Sequence, residues 1–109
     1  MLNKVIYMGR LVKDAEQTTV NEKSTVTNFT IAVDRDYVPE GEERQADFFL
    51  VVAWTLPEKF VKKYLKKGEL VVVEGRNQTR KWDTGDGTNH YVTELKADHV
   101  YQTNFKAAE

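Results

Sequence analysis

The run from Lys67 to Trp82, KGELVVVEGRNQTRKW, limits what this chain can fold into more than any other stretch. Leu70, Val71, Val72 and Val73 form a continuous apolar segment rich in β-branched residues, which suits a strand buried on both faces. From Glu74 the pattern changes. Arg76, Gln78, Arg80 and Trp82 fall on one face of a period-2 strand; Asn77, Thr79 and Lys81 fall on the other. Gly75, at the change, predicts a bend or bulge where a sheet turns a corner. One strand is thus anchored in a core and then projects out of it. The projecting part offers guanidinium groups for phosphates and an indole for stacking on a base. By itself the stretch fits equally well a hairpin that caps its own sheet and carries solvated charges.

The remaining elements follow from the same patterning. Leu2 to Val12 alternates, with Val5, Tyr7, Gly9 and Leu11 on one face and Lys4, Ile6, Met8, Arg10 and Val12 on the other. Both faces carry apolar groups, so this strand is expected to be covered twice, the second time by a partner subunit. Lys13 to Lys23 is polar and reads as a turn around Asn21. Ser24 to Asp34 is a second strand, with Phe29, Ile31 and Val33 pointing one way. Arg35 to Asp47 holds Pro39, Gly41 and the acids Asp36, Glu40, Glu42, Glu43 and Asp47, and reads as a long exposed hairpin loop. Phe48 to Thr55 is a third strand, apolar on both faces, with Phe48 and Trp54 at the two ends of one face. An isolated aromatic of this kind is by default a core residue. Leu56 to Lys67 reads as a helix, with Thr55 as cap, Pro57 in the first turn, a stripe of Phe60, Val61, Tyr64 and Leu65, and a stop at Gly68. Its opposite face, Lys59, Lys62, Lys63 and Lys66, reads as a solvated face. After the turn from Asp83 to Thr88, a fifth strand returns from His90 to Phe105. The order strand, strand, strand, helix, strand, strand is that of an all-β OB-fold: a five-stranded antiparallel Greek-key barrel with one helix between strands three and four.

Composition narrows the function. The chain has 109 residues, which suits one domain with a modest core. A formal net charge of -1 excludes binding by bulk positive charge, so contact with nucleic acid needs a local patch. Most of the acidic excess lies in the loop, and the rest of the chain is net positive. There is no cysteine, hence no disulfide, thiolate metal site or cysteine nucleophile, which fits a reducing cytoplasm. No apolar run reaches the roughly 18 residues of a membrane span. Nothing assembles into a catalytic or metal constellation. His90 and His99 lie an odd number of residues apart and so are expected on opposite faces of one strand. The acids of the loop lack the alternating ligands and closing glutamate of a calcium loop. Neither a metal nor a cofactor is called for, and the chemistry expected is binding rather than catalysis.

Several motifs, in order and over nearly the whole chain, carry a resemblance. They are LNKV from Leu2 with GRL from Gly9, FTIAV from Phe29, ADF from Ala46 with Trp54, YLKKG from Tyr64, VEGR from Val73, TRKW from Thr79 and YVTE from Tyr91. Together they resemble the bacterial and phage-type single-stranded DNA-binding proteins. The resemblance implies a homotetramer, a dimer of dimers, that is cytoplasmic and nucleoid-associated and wraps single-stranded DNA without sequence preference in replication, recombination and repair. The family's base-stacking aromatics match Tyr37, Phe48, Trp54 and Trp82. Candidates for phosphate contacts are Arg10, Arg76, Arg80 and Lys81, with Lys4, Lys62 and Lys67 in support. The first strand, through Leu2, Lys4, Ile6 and Met8, resembles the family's dimer-forming edge. A narrow hairpin ribbon can follow a single strand but cannot accommodate a stacked duplex. The alternatives are a primosomal-type OB-fold replication accessory protein and an OB module that binds protein or sugar. The binding domain is expected to span residues 1–105. Residues 106–109, KAAE, lack the family's acidic-tipped tail, so tail-dependent protein partners are not expected.

Overall fold

A computed structural model describes residues 1–103; the expectation for residues 106–109 lies outside the described residues. In chain order the elements are β1 (Val5–Leu11), β2 (Glu16–Asn21), β3 (Ser24–Asp34), β4 (Ala46–Trp54), α1 (Glu58–Tyr64), β5 (Leu70–Asp83) and β6 (Asn89–Gln102). The pairings run β1–β5–β6–β4–β3, and β3 returns to β1 at Arg10–Ala32 and Leu11–Ile31. Five strands therefore close on themselves, in the OB-fold order. One seam is not antiparallel: β4 and β6 run parallel from Leu50–Glu94 to Ala53–Ala97. A closed ring with an odd number of strands cannot alternate direction all the way round, so one parallel seam is unavoidable.

The polar segment read as a turn contains a sixth strand, β2, which pairs with β3 at its edge. β3 offers it an edge, and the local chain favours extension. Thr18, Thr19 and Val20 are β-branched and favour extended backbone. The Gln17 amide also reaches inward, donating to Thr27 Oγ1 at 3.2 Å and to the Leu56 carbonyl at 3.0 Å. The turn does fall at Asn21, whose side-chain oxygen accepts the Lys23 N–H at 2.8 Å.

The ring encloses Leu11, Phe29, Ile31, Val51, Val71, Val73 and Leu95, with Val61 and Leu65 supplied by the helix segment. These are the inward faces expected for β1 and β3. Tyr7 and Phe49 extend the core, stacked with ring centroids 4.1 Å apart. The helix is shorter than the expected span: Pro57 stands at its N-cap with no side-chain hydrogen bond, and the chain leaves helical geometry at Leu65. Thr55 does not cap it: its φ is +58°, and its N–H donates to the Thr25 carbonyl at 2.8 Å. At the other end Gly68 has φ +88° and donates its N–H to the Leu11 carbonyl at 2.8 Å, so the chain leaves the helix straight onto β1.

Gly75 sits where the β5–β6 register shifts, between Glu74–His99 and Gly75–Ala97. A Cβ there would lie 2.0 Å from the Lys96 carbonyl oxygen and 2.9 Å from the Ala97 Cα. Both obstacles are backbone and cannot swing away. From Gly75 to Gln78 the partner β6 is still paired with β4; after that β5 and β6 continue as a two-stranded ribbon, and β5 is exposed from Gln78 onward. Gly75→Ala is expected to cost about 3 kcal/mol, the top of the usual range for overpacking. A urea unfolding midpoint equal to that of the parent chain would contradict this close approach.

Candidate nucleic-acid interface

The outward-facing residues of β4, β6 and β5 form one continuous surface. The parallel seam sets Leu50 beside Glu94 and Val52 beside Lys96. The ribbon then sets Lys96 opposite Arg76, Glu94 opposite Gln78, Val92 opposite Arg80 and His90 opposite Trp82. Phe48 and Trp54 lie on the same face of β4, one at each end of this surface. Across β3, Ala32 pairs with Phe48 on one side and with Arg10 on the other, so Arg10 continues the row. Phe48, Trp54 and Trp82 are 65%, 52% and 46% exposed. A core role is thereby excluded for all three.

Trp82 does not stand alone. His90 stacks on it with ring centroids 4.6 Å apart and an interplanar angle of 24°. Pattern reading placed His90 and His99 on opposite faces, and the structure corrects this. The register shift opposite Gly75 inserts an extra residue in β6, so His99 pairs with Glu74 on the same outward side as His90 opposite Trp82.

The cations of this surface differ in their surroundings. Arg80 donates from Nε to Glu94 Oε1 at 3.1 Å, and the Glu94 side chain is buried while that of Arg80 is exposed. Arg10 donates to the Gly68 carbonyl at 3.1 Å. Arg76 is exposed and Lys96 half-buried. Lys96 was not singled out from sequence, because its place opposite Arg76 depends on the strand register, which the bulge shifts.

Other expected contacts lie elsewhere. Lys81 pairs with Tyr91 on the reverse face of the ribbon. Lys62 is bound to Glu58 one turn earlier on the helix, at 2.6 Å. The backbone N–H of Lys67 donates to Asp14 at 2.8 Å, and this bond, ahead of the nearby Lys66 ammonium, holds the Asp14 carboxyl below its ordinary range. Lys4 contacts Glu74 at 3.0 Å, with His99 on the same carboxylate at 3.2 Å. Lys4 first, and His99 second, hold the Glu74 carboxyl below its ordinary range. These groups belong to the outer side of β1, β5 and β6, where Ile6 and Met8 are 61% and 54% exposed. Leu2 and Tyr101 are exposed too, and Met8, Val72 and Tyr101 lie in one row. From Val5 to Gly9, β1 pairs with β5 on one side, and β3 joins its other side only at Arg10.

Tyr37 stands in the β3–β4 loop and is 77% exposed. The neck of that loop is clamped. Arg35 donates to Asp47 from Nη2 at 2.8 Å and from Nε at 3.2 Å, and to Gln45 Oε1 from Nη1 at 2.7 Å. The guanidinium holds the Asp47 carboxyl below its ordinary range.

The chain matches the single-strand binding protein family over residues 2–103. It belongs to that family. A relative from Caldanaerobacter subterraneus subsp. tengcongensis, named single-stranded DNA-binding protein, is 47% identical over 92% of this chain and 67% of its own length. One from Clostridium acetobutylicum, named single-stranded DNA-binding protein 2, is 45% identical over 91% of this chain and 74% of its own. Among solved structures, a chain from a Plasmodium falciparum SSB complex with ssDNA aligns with a TM-score of 0.78 and 26% identity. That alignment covers 95% of this chain and 97% of the other.

The Asp47 clamp has a pH dependence of definite sign. Its folded pKa is depressed, so its contribution is complete above the ordinary aspartate value of about 3.9 and is lost as pH falls through the lowered folded value. Cleavage by trypsin at Arg44, taken relative to an unstructured peptide substrate at the same pH, should therefore be slow and constant from pH 8 down to about pH 5, where the clamp is intact. Asp47→Asn should accelerate that cleavage at neutral pH. Equal rates in the two proteins would show that the clamp does not restrain the loop.

Proposed function

We propose that this protein binds single-stranded DNA without reading its sequence, by base stacking and phosphate contacts, and carries out no chemistry of its own. One observation carries the reading: exposed Phe48, Trp54 and Trp82 and the cations between them share one outward surface of β4, β6 and β5. Base–aromatic stacking tolerates any sequence because every base has a π-face. Trp82, Trp54 and Phe48 are the stacking platforms, and Tyr37 adds a further one from the clamped loop. Arg76, Arg80 and Arg10 lie where a backbone threading between these rings passes. Lys81 on the reverse of the ribbon, and Lys67 beside the helix, serve a strand that continues round the protein. Lys62, already paired with Glu58, stands apart from this path; Lys4, paired with Glu74, lies beside Arg76, between Asn3, which bonds Asn77, and Val5, which pairs with Gly75. The family and the relatives' names support the same reading.

The open edge of β1 and its exposed Ile6 and Met8 support self-association. A second copy related by a twofold axis adds its own β1 to that edge, burying Leu2, Ile6 and Met8 in an isologous contact. Two such dimers form the tetramer. No helix among the described residues is long and apolar enough to cross a membrane. The place of action proposed is the cytoplasm, on exposed single strands during replication, recombination and repair.

Binding of oligo-dT should quench tryptophan fluorescence, and Trp82→Ala should weaken it by about 1–3 kcal/mol per lost stack. A folded variant with unchanged affinity would remove Trp82 from the path. Light scattering should report a tetramer for the parent chain and a smaller species for Ile6→Glu. A monomer at micromolar concentration in both would refute the β1 interface.

A further inference from the structure

The cations on the proposed DNA surface are unequal, and the difference identifies where the phosphate is held. Arg76 and Lys96 are direct partners across the β5–β6 ribbon, with side chains on the same outward face. Like charges placed directly opposite each other in an antiparallel pair are destabilising. Two acids flank the pair on the same face, and both are committed: Glu94, two residues before Lys96, to Arg80 at 3.1 Å, and Glu74, two residues before Arg76, to Lys4 at 3.0 Å and His99 at 3.2 Å. Among the described residues neither Arg76 nor Lys96 forms an ion pair. Lys96 is half-buried, with Val52 on its other flank, and Trp54 is the next outward residue of β4. Two cations are therefore held side by side against an apolar strand, at a local cost, with the flanking carboxylates bound to other cations.

The geometry points to Arg76 and Lys96 as a single anion subsite that holds one backbone phosphate of the nucleic acid beside Trp54. This rests on the reading that the surface binds single-stranded DNA. The planar guanidinium of Arg76 grips two phosphate oxygens, and the Lys96 ammonium adds a point charge from the opposite strand. Arg80, half-neutralised by Glu94, contributes orientation more than net charge. The phosphate replaces the missing anion, so binding relieves the like-charge opposition present in the free protein.

The test compares the full chain with Lys96→Gln, Arg76→Gln and the double variant. Oligo-dT affinity is titrated across salt, and thermal midpoints are measured without DNA. Both single variants should bind several-fold more weakly at low salt. The double variant should lower the log–log salt slope by about 0.7 in total, the value of one phosphate on a single strand. A decrement near 1.4, about twice that value, would mean two separate phosphate contacts and would overturn the shared site. In the free protein, Lys96→Gln should raise the thermal midpoint, because it removes one of two opposed charges. A fall in midpoint together with affinity would show a structural role and overturn the proposal. So would unchanged affinity and slope in Lys96→Gln while the parent chain binds. Absence of oligo-dT binding by the parent chain would instead refute the DNA-binding reading itself.

Discussion

The close backbone approach at Gly75 is the constraint on which the other features depend. Its hydrogen lies where any Cβ would meet the Lys96 carbonyl oxygen. That contact fixes the register of β5 on β6, and the register decides which side chains face which. Upstream, Val71 and Val73 point into the core and β1 closes the ring. Downstream, the same strand has left the core, and its outward residues become a surface. A residue with a side chain at this point would have to push the two strands apart, and core and surface would lose their relation together.

Charge is distributed in the same economical way. A net charge of -1 conceals a division into regions. Acids gather in the β3–β4 loop, where Arg35 is tied to Asp47 at the neck. Glu58, Asp14 and Glu74 each lie within ion-pair distance of a lysine. On the outward surface of β4, β5 and β6, by contrast, the one buried carboxylate, Glu94, is committed to Arg80, and Arg76 and Lys96 are left facing each other. Two like charges directly opposite each other across a strand pair break a local rule at that point. Sites where a local rule is broken without compensation inside the chain are where function is expected.

Much of this was legible in advance. The alternation of β1 and β3, the apolar run of β5 and the glycine at its turning point are all short-range signals that a period-2 reading captures. The exposed positions of Phe48 and Trp54 were not legible from patterning alone. On β4 both faces are apolar, so alternation identifies two sets without saying which one is inside. The inward Val51 and Ala53 are chosen by what β3 and β6 bring against them. The strand Glu16–Asn21 was missed for the opposite reason: it is nearly all polar, and it is a strand because β3 offers it an edge.

By itself, the sequence determined the order of the five ring strands and the helix, the strand that leaves the core, the glycine at its exit and the aromatics and arginines of the projecting part. These depend on neighbours within a few residues, where side-chain alternation and backbone preference act. The tertiary structure decided what depends on register between distant strands. It closed the ring through a parallel seam, moved His99 to the same side as His90 and laid His90 on Trp82. It also gave Arg80 a buried partner and set Lys96 against Arg76. A single inserted residue in β6 changes every one of the facing pairs beyond it; Gly75 marks the place on β5, but no local pattern in β6 records which residue is inserted.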